Sequence, residues 1–282
     1  MTEFSPFSSL LLAVDASPYA AAATRYAGFL SRQLGLPLRA LHVLDARAAA
    51  APSTFGAGTA DVTLLTPQFD PAVESVIEEQ AEAVRTKTDA ELGRLGLDTR
   101  LEVATGTPVP DLLERADAQT LLVMGKAGES AAAGAEVRLG GVAERAVRRA
   151  EGAVLLVPER FTEPGRLLLG YDGKGGAEAA LGYTFGLAHA LKLPVLAVNV
   201  GDDERAAEAV LGRVRARAAE ENVTLGAETR RGRPGTVLAE AAREGDLIVI
   251  GAFGTGRLAE FFGGSTTEEV IVGAAVPVLL HG

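Results

Sequence analysis

Apolar residues in this chain gather in short, mainly apolar runs, separated by longer stretches where they recur at helical spacing. Leu10-Leu11-Leu12-Ala13-Val14, Leu38 to Leu44, Leu121-Leu122-Val123-Met124 and Val154-Leu155-Leu156-Val157 are such runs. A strand covered on both faces has no polar side to alternate with, so each run predicts a buried strand. Between them lie an alanine-rich helical stretch to about Gly35 and a long helix from Asp70-Pro71 to about Gly93. Ser17-Pro18 reads as an N-cap and first-turn proline for the first of these helices. Strand and helix alternate throughout, which predicts a parallel sheet with helices on both faces.

The pattern occurs twice. Leu10 to Asp15 answers to Leu167-Leu168-Leu169-Gly170-Tyr171-Asp172, each an apolar run ending in a carboxylate. Leu38 to Leu44 answers to Val195 to Val200, and Gly106-Thr107-Pro108 to Gly232-Arg233-Pro234. The second half also has a helical stretch from about Gly176 to Leu191 and a last strand, Val278-Leu279-Leu280. Five strands per half are expected. The join falls at Pro158 to Gly165, where Pro and Gly punctuate the chain and the apolar period is lost. The expected domains are therefore 1–160 and 161–282.

The halves differ in length at one place. Asp15 precedes Gly106 by 91 residues, whereas Asp172 precedes Gly232 by 60, so the first half carries 31 extra residues. They fall after the second strand, across roughly 46–70, in a loop-like stretch containing Pro52, Gly56 and Gly58. A loop of that length serves as a lid, an interface arm or a disordered segment, and sequence does not choose among them.

Chemistry is suggested by the glycines. After Leu247-Ile248-Val249-Ile250 come Gly251, two residues, Gly254, nine residues, then Gly264-Ser265-Thr266-Thr267. The first half has Gly125, two residues, Gly128, eleven residues, then Gly140-Gly141. A glycine-ended strand feeding a helix start brings unpaired backbone N–H groups and a positive dipole end to one place, which suits phosphate. Ligands of open parallel sheets sit at the carboxyl ends of strands, where Asp172, Val200 and Gly251 should meet. Asp172 would repel phosphate, so its expected partner is a ribose or base. Taken singly, a Gly turn closes many α/β strands and Ser265 could be only an N-cap; the signal lies in their sharing one edge.

Composition narrows the field. The net charge of −10 is spread over two acidic halves, which disfavours DNA or RNA as partner. There are no cysteines, hence no disulfides, thiolate nucleophiles or cysteine metal sites. No run approaches the roughly 20 apolar residues needed to cross a bilayer, and the start lacks a basic leader region. A cytoplasmic chain without membrane contact is expected. His42, His189 and His281 have no ligand spacing, and no P-loop is present. Glu78-Glu79 and Glu268-Glu269 read as solvated helix faces. No catalytic set and no metal site can be assembled.

With these residues in view, the chain resembles the universal stress protein family over nearly its whole length, as a tandem pair. Leu247 to Gly254, the nine-residue spacer and Gly264-Ser265 look like that family's ATP motif, G-x2-G-x9-G-[ST]. Gly140-Gly141-Val142-Ala143-Glu144-Arg145 through Val154 to Pro158 resembles its closing helix and strand. The resemblance implies the adenine-nucleotide α-hydrolase-like fold, two tandem open five-stranded parallel sheets packed as a pseudo-dimer. It implies that Tyr171, Asp172 and Val200 surround the adenosine part of a nucleotide. Ile250, Gly251, Phe253, Gly254, Gly264, Ser265, Thr266 and Thr267 would surround ribose and phosphates.

The first half departs from that motif through its longer spacer, Gly141 in place of the hydroxyl residue, and Glu129 directly after Gly128. Loss of ATP binding there is expected. Lys126 either compensates part of that negative charge or is a solvated surface lysine. In the second half Phe253 is bulky where the family often has a polar residue.

The expected function is a regulatory stress-response protein holding ATP, or AMP or ADP, in its C-terminal half. Magnesium is a candidate counter-ion to the phosphates, without a dedicated carboxylate cage. A homo-oligomer, a dimer of tandem chains, is expected. The alternatives are a nucleotide-free scaffold acting through partner surfaces, and a slow ATPase or autophosphorylating enzyme using Ser265, Thr266 or Thr267.

Overall fold

The computed structural model describes residues 5–45, 71–128, 139–251 and 266–281. The stretch 46–70, expected as a long loop, and the motif residues Phe253, Gly254, Gly264 and Ser265 lie outside the described residues.

The first half runs β1 (Ser9–Ala13), α1 (Tyr19–Leu34), β2 (Leu38–Asp45), α2 (Pro71–Arg94), β3 (Leu101–Gly106), α3 (Pro108–Glu114), β4 (Thr120–Gly125), α4 (Gly141–Arg149) and β5 (Val154–Val157). The second runs β6 (Arg166–Gly170), α5 (Gly175–Leu191), β7 (Val195–Val200), α6 (Glu204–Glu220), β8 (Leu225–Arg230), α7 (Pro234–Ala241), β9 (Asp246–Gly251), α8 (Thr266–Gly273) and β10 (Val278–His281). Each apolar run is a strand, and β3 and β8, which are not apolar runs, bring the number to five in each half.

All ten strands form one sheet, in the order β3-β2-β1-β4-β5-β10-β9-β6-β7-β8. Pairing is parallel within each half and antiparallel only at the seam, where Leu155 faces Leu279 and Val154 faces Leu280. The order reads the same from either end once β5 is matched with β10. This is the pseudo-dimer in a single chain. Because the seam is antiparallel, the carboxyl ends of the two halves' strands point to opposite edges of the sheet.

Side chains of successive strand residues leave opposite faces, which explains the mainly apolar runs. Leu10, Leu12, Leu167, Leu169, Leu247 and Val249 enter one core; Leu11, Leu168, Ile248 and Ile250 enter the other. Both cores extend across the two halves. The join packs down as well: the Thr162 N–H donates to the Tyr26 hydroxyl, and Phe161 meets the Tyr26 ring edge-on at 4.7 Å.

One local expectation is corrected. The Ser17 hydroxyl does not cap α1; the helix starts at Tyr19 with Pro18 in the cap position, and the buried Ser17 Oγ has no hydrogen-bond partner among the described residues. Its backbone N–H is instead turned back onto Asp15 Oδ1, at 3.1 Å. Asp15 thus forms an Asx-type turn just ahead of the helix.

Candidate functional site at the strand ends

In the second half β6 lies between β9 and β7, with Gly170 beside Ile250 on one side and Val198 on the other. The chain therefore delivers Asp172, Val200 and Gly251 to one edge, beside the described start of α8 at Thr266. Tyr171 is 3% exposed. Its hydroxyl donates to Glu178 of α5, and burial followed by that carboxylate pushes its pKa up to about 12. Its ring belongs to the core. Asp172 is half-exposed, its Oδ1 accepting from the Lys174 N–H at 3.0 Å and its Oδ2 lying 3.3 Å from Lys174 Nζ. An exposed pair of this kind is worth little, so the carboxylate can exchange it for a ligand donor. Gly173 closes the turn with φ +76°, against Arg213 and Val210 of α6.

Gly251 has a packing reason to be glycine. A Cβ there would lie 2.2 Å from the carbonyl carbon and oxygen of Gly176, at the start of α5. Gly125 has the same job in the first half, where a Cβ would lie 2.5 Å from Tyr19 Cβ on α1. The first glycine of each frame thus lets a helix start close on the strand end. Thr266 is exposed and Thr267 is buried in the first turn of α8. Glu269 is not a solvated face residue as expected: it pairs with Arg233 ahead of α7.

The first half repeats this geometry with different chemistry. Asp15 makes the same turn as Asp172, each accepting a backbone N–H two residues on. The glycines of its frame close on one another, since a Cβ on Gly140 would sit 3.0 Å from the Gly128 nitrogen and one on Gly128 would sit 3.0 Å from Asp15 Oδ2. Lys126 is not the fully solvated lysine of the second alternative. Its ammonium donates to the Ala274 carbonyl, at 2.9 Å, just past the end of α8, and burial lowers its pKa.

A cavity of about 370 Å³ opens at this edge, bounded by the ends of β1, β2 and β4 and the starts of α3 and α4, with α2 across it. Among the described residues its polar side chains are Asp15, His42, Asp45 and Gln80, with mainly apolar neighbours.

Two residues at these edges make contacts that the sequence reading did not foresee: His42, read there only as a histidine without ligand spacing, and Asn199, which it did not name. His42 Nδ1 lies 2.8 Å from the Val14 carbonyl, and Asn199 Nδ2 donates to the Tyr171 carbonyl at 2.8 Å. The strand registers make them counterparts, both tying β1 or β6 to its neighbour just before the turn. Laying the halves over each other could have paired them; nothing in either residue alone points there. Among the described residues no three His, Cys, Asp or Glu side chains gather as a metal site. Nor is any described helix long and apolar enough to cross a membrane.

One ten-stranded sheet made of two five-stranded parallel halves, each with a glycine-ended strand and an acidic first-strand end at its carboxyl edge, defines the class: a tandem adenine-nucleotide α-hydrolase-like protein. The comparisons carry this further. The profile of the Universal stress protein family matches residues 6–158 and again 164–281, so the chain belongs to that family, with two domains in tandem. It is 25% identical over 283 residues to the universal stress protein Slr1230 of Synechocystis, covering 96% of this chain and 98% of that one. Universal stress protein Rv2005c of Mycobacterium tuberculosis is 26% identical over 300 residues, covering 96% of each. In fold, the chain is similar to a universal stress protein from Archaeoglobus fulgidus, with a TM-score of 0.73 at 18% identity over 99% of this chain and 98% of that one. A putative universal stress protein from Pseudomonas aeruginosa gives 0.60 at 15% identity, over 98% and 93%.

Proposed function

We propose that this chain is a regulatory stress-response protein that holds ATP, or another adenine nucleotide, at the carboxyl edge of its second half. The observation that carries the reading is the delivery of Asp172, Val200 and Gly251 to one edge beside the start of α8. Residues present there suit the parts of a nucleotide. The Asp172 carboxylate can accept from ribose hydroxyls or a base, and Val200 offers an apolar surface. The hydroxyls of Ser265, Thr266 and Thr267 can donate to phosphate at a helix start whose dipole favours an anion. The resemblance of Gly251 to Ser265 to the family's ATP motif supports the same assignment, with Ile250, Phe253, Gly254 and Gly264 as the other neighbours of the ligand. Magnesium would balance the phosphate charge. Nucleotide occupancy would then bias conformation or choice of protein partner in the cytoplasm, in a dimer of tandem chains.

Calorimetry on the full chain tests this directly. One ATP per chain is expected, with binding lost in Gly264→Val while the thermal transition stays cooperative. Gly251→Val is the wrong test, because its side chain would strike the Gly176 backbone whether or not ATP binds. Two equivalent ATP sites, or full affinity in Gly264→Val, would refute the assignment. Mass analysis of small molecules that co-purify with the chain identifies the nucleotide.

A further inference from the structure

We propose that β8, the outermost strand of the second half, docks a second copy of this chain, which joins it antiparallel about a two-fold axis through Thr229. This names the surface for the dimer of tandem chains proposed above, rests on that part of the reading alone, and needs no nucleotide.

β8 ends the ten-stranded sheet, and no described strand pairs with its outer side. The carbonyls of Thr224 and Arg230 accept from the N–H groups of Val195 and Gly201, on the β7 side. Backbone groups alternate in direction along a strand, so those of Gly226 and Glu228 turn toward β7 as well. The N–H and C=O groups of Leu225, Ala227 and Thr229 therefore face outward. A row of this kind is a template for another strand, and no residue of β8 is buried.

The alternation also limits the registers open to a second copy. Outward-facing residues must meet outward-facing residues, and a two-fold axis sets one residue against itself. An axis through Thr229 brings Glu228 opposite Arg230 of the second copy, and Arg230 opposite its Glu228. Both are non-hydrogen-bonded pairs, where side chains come closest. An axis through Glu228 would set like charges opposite each other, which is destabilising. One through Ala227 would set Glu228 against a glycine. Charge thus selects Thr229.

Glu228 and Arg230 also share a face of the sheet. Leu225 and Ala227 pack on the core that holds Leu211 and Val214 of α6, so the even-numbered residues leave the other face. The two charges are already engaged with each other: Arg230 reaches Glu228 Oε1 through two nitrogens, at 2.7 Å each. Their side chains remain 39% and 36% exposed, and such a pair is worth little by itself. Across the axis the two pairs close into a ring of alternating charges. Each carboxylate keeps its own guanidinium and gains a second. The ladder is short, because Gly232 leaves the extended path with φ +125°, so the dimer should depend on concentration rather than be obligate.

Sedimentation velocity of the full chain without nucleotide, over a range of concentrations, tests this. The unaltered chain should pass from monomer to dimer. Glu228→Arg makes the ring all cationic and Arg230→Glu makes it all anionic, so each should weaken dimerisation by about tenfold or more. Mixing the two variants restores opposite charges across the axis. A heterodimer should then form where each variant alone is monomeric, which also shows that both are folded. Glu102→Arg, on the outermost strand of the first half, should change nothing. A dimer indifferent to both reversals, variants that stay apart on mixing, or a dimer broken by Glu102→Arg would overturn this surface and leave the dimer standing. A chain that stays monomeric up to millimolar concentration would overturn both, and the ATP assignment would be untouched.

Discussion

At Tyr171 a residue drawn into the adenosine contact by resemblance turns out to spend its side chain on the core. Burial and Glu178 hold its phenol protonated far above the usual range, up to about 12. A raised folded pKa contributes stability that is complete below the unfolded value of 10.0 and is lost as pH climbs through the folded one. Tyr171→Phe should therefore cost about 1 kcal/mol near neutrality, the net worth of one hydrogen bond. It should also flatten the fall in stability between pH 10 and about 12, read by urea melts at several alkaline pH values. Sequence could not show this, because Glu178 looks like any first-turn helix carboxylate. Lys126 was misread for a related reason: its partner, Ala274, is remote in sequence, and the seam that joins them is a property of the whole sheet.

Helices and strands were the most legible level. Apolar runs gave eight of the ten strands, the glycine turns at Gly106 and Gly232 gave β3 and β8, whose residues are mixed, and Pro or Gly punctuation marked α2, α3 and α7. Gly251, expected beside phosphate, also has a packing reason that its sequence position did not show: the start of α5 forbids a side chain there. Gly251→Ala should destabilise the fold by about 1–3 kcal/mol, the usual cost of forcing atoms into a packed site, in a melt without any nucleotide. Unchanged stability would mean that α5 can retreat. At the other end of β9, Arg166 clasps the buried Asp246 carboxylate through Nε at 2.8 Å and a second nitrogen at 2.6 Å. Arg166→Ala strands that charge in the interior and should cost about 3 kcal/mol. It lies at the amino end of the strands, so ATP binding should survive where the chain remains folded.

On the scale of the whole molecule, the seam decides behaviour. Leu155 and Leu279 are both buried and face each other across the antiparallel pair, in a core that continues through both halves. Leu279→Ala should cost about 2–5 kcal/mol, and the two halves should lose stability together in one transition. Separate melting of a first-half and a second-half probe would contradict this. The repeat in the sequence announced two units; it did not announce which strands would meet, since β5 and β10 are short apolar runs like the others.

That seam has an evolutionary consequence. Where two identical subunits pair across such a junction, every substitution is written into both binding edges at once. Here each edge has its own stretch of gene. A change such as histidine at 42 beside asparagine at 199, or glycine at 141 beside serine at 265, alters one edge and leaves the other's chemistry alone. The covalent link therefore holds the ratio of the two kinds of edge at one to one in every molecule, whatever its concentration.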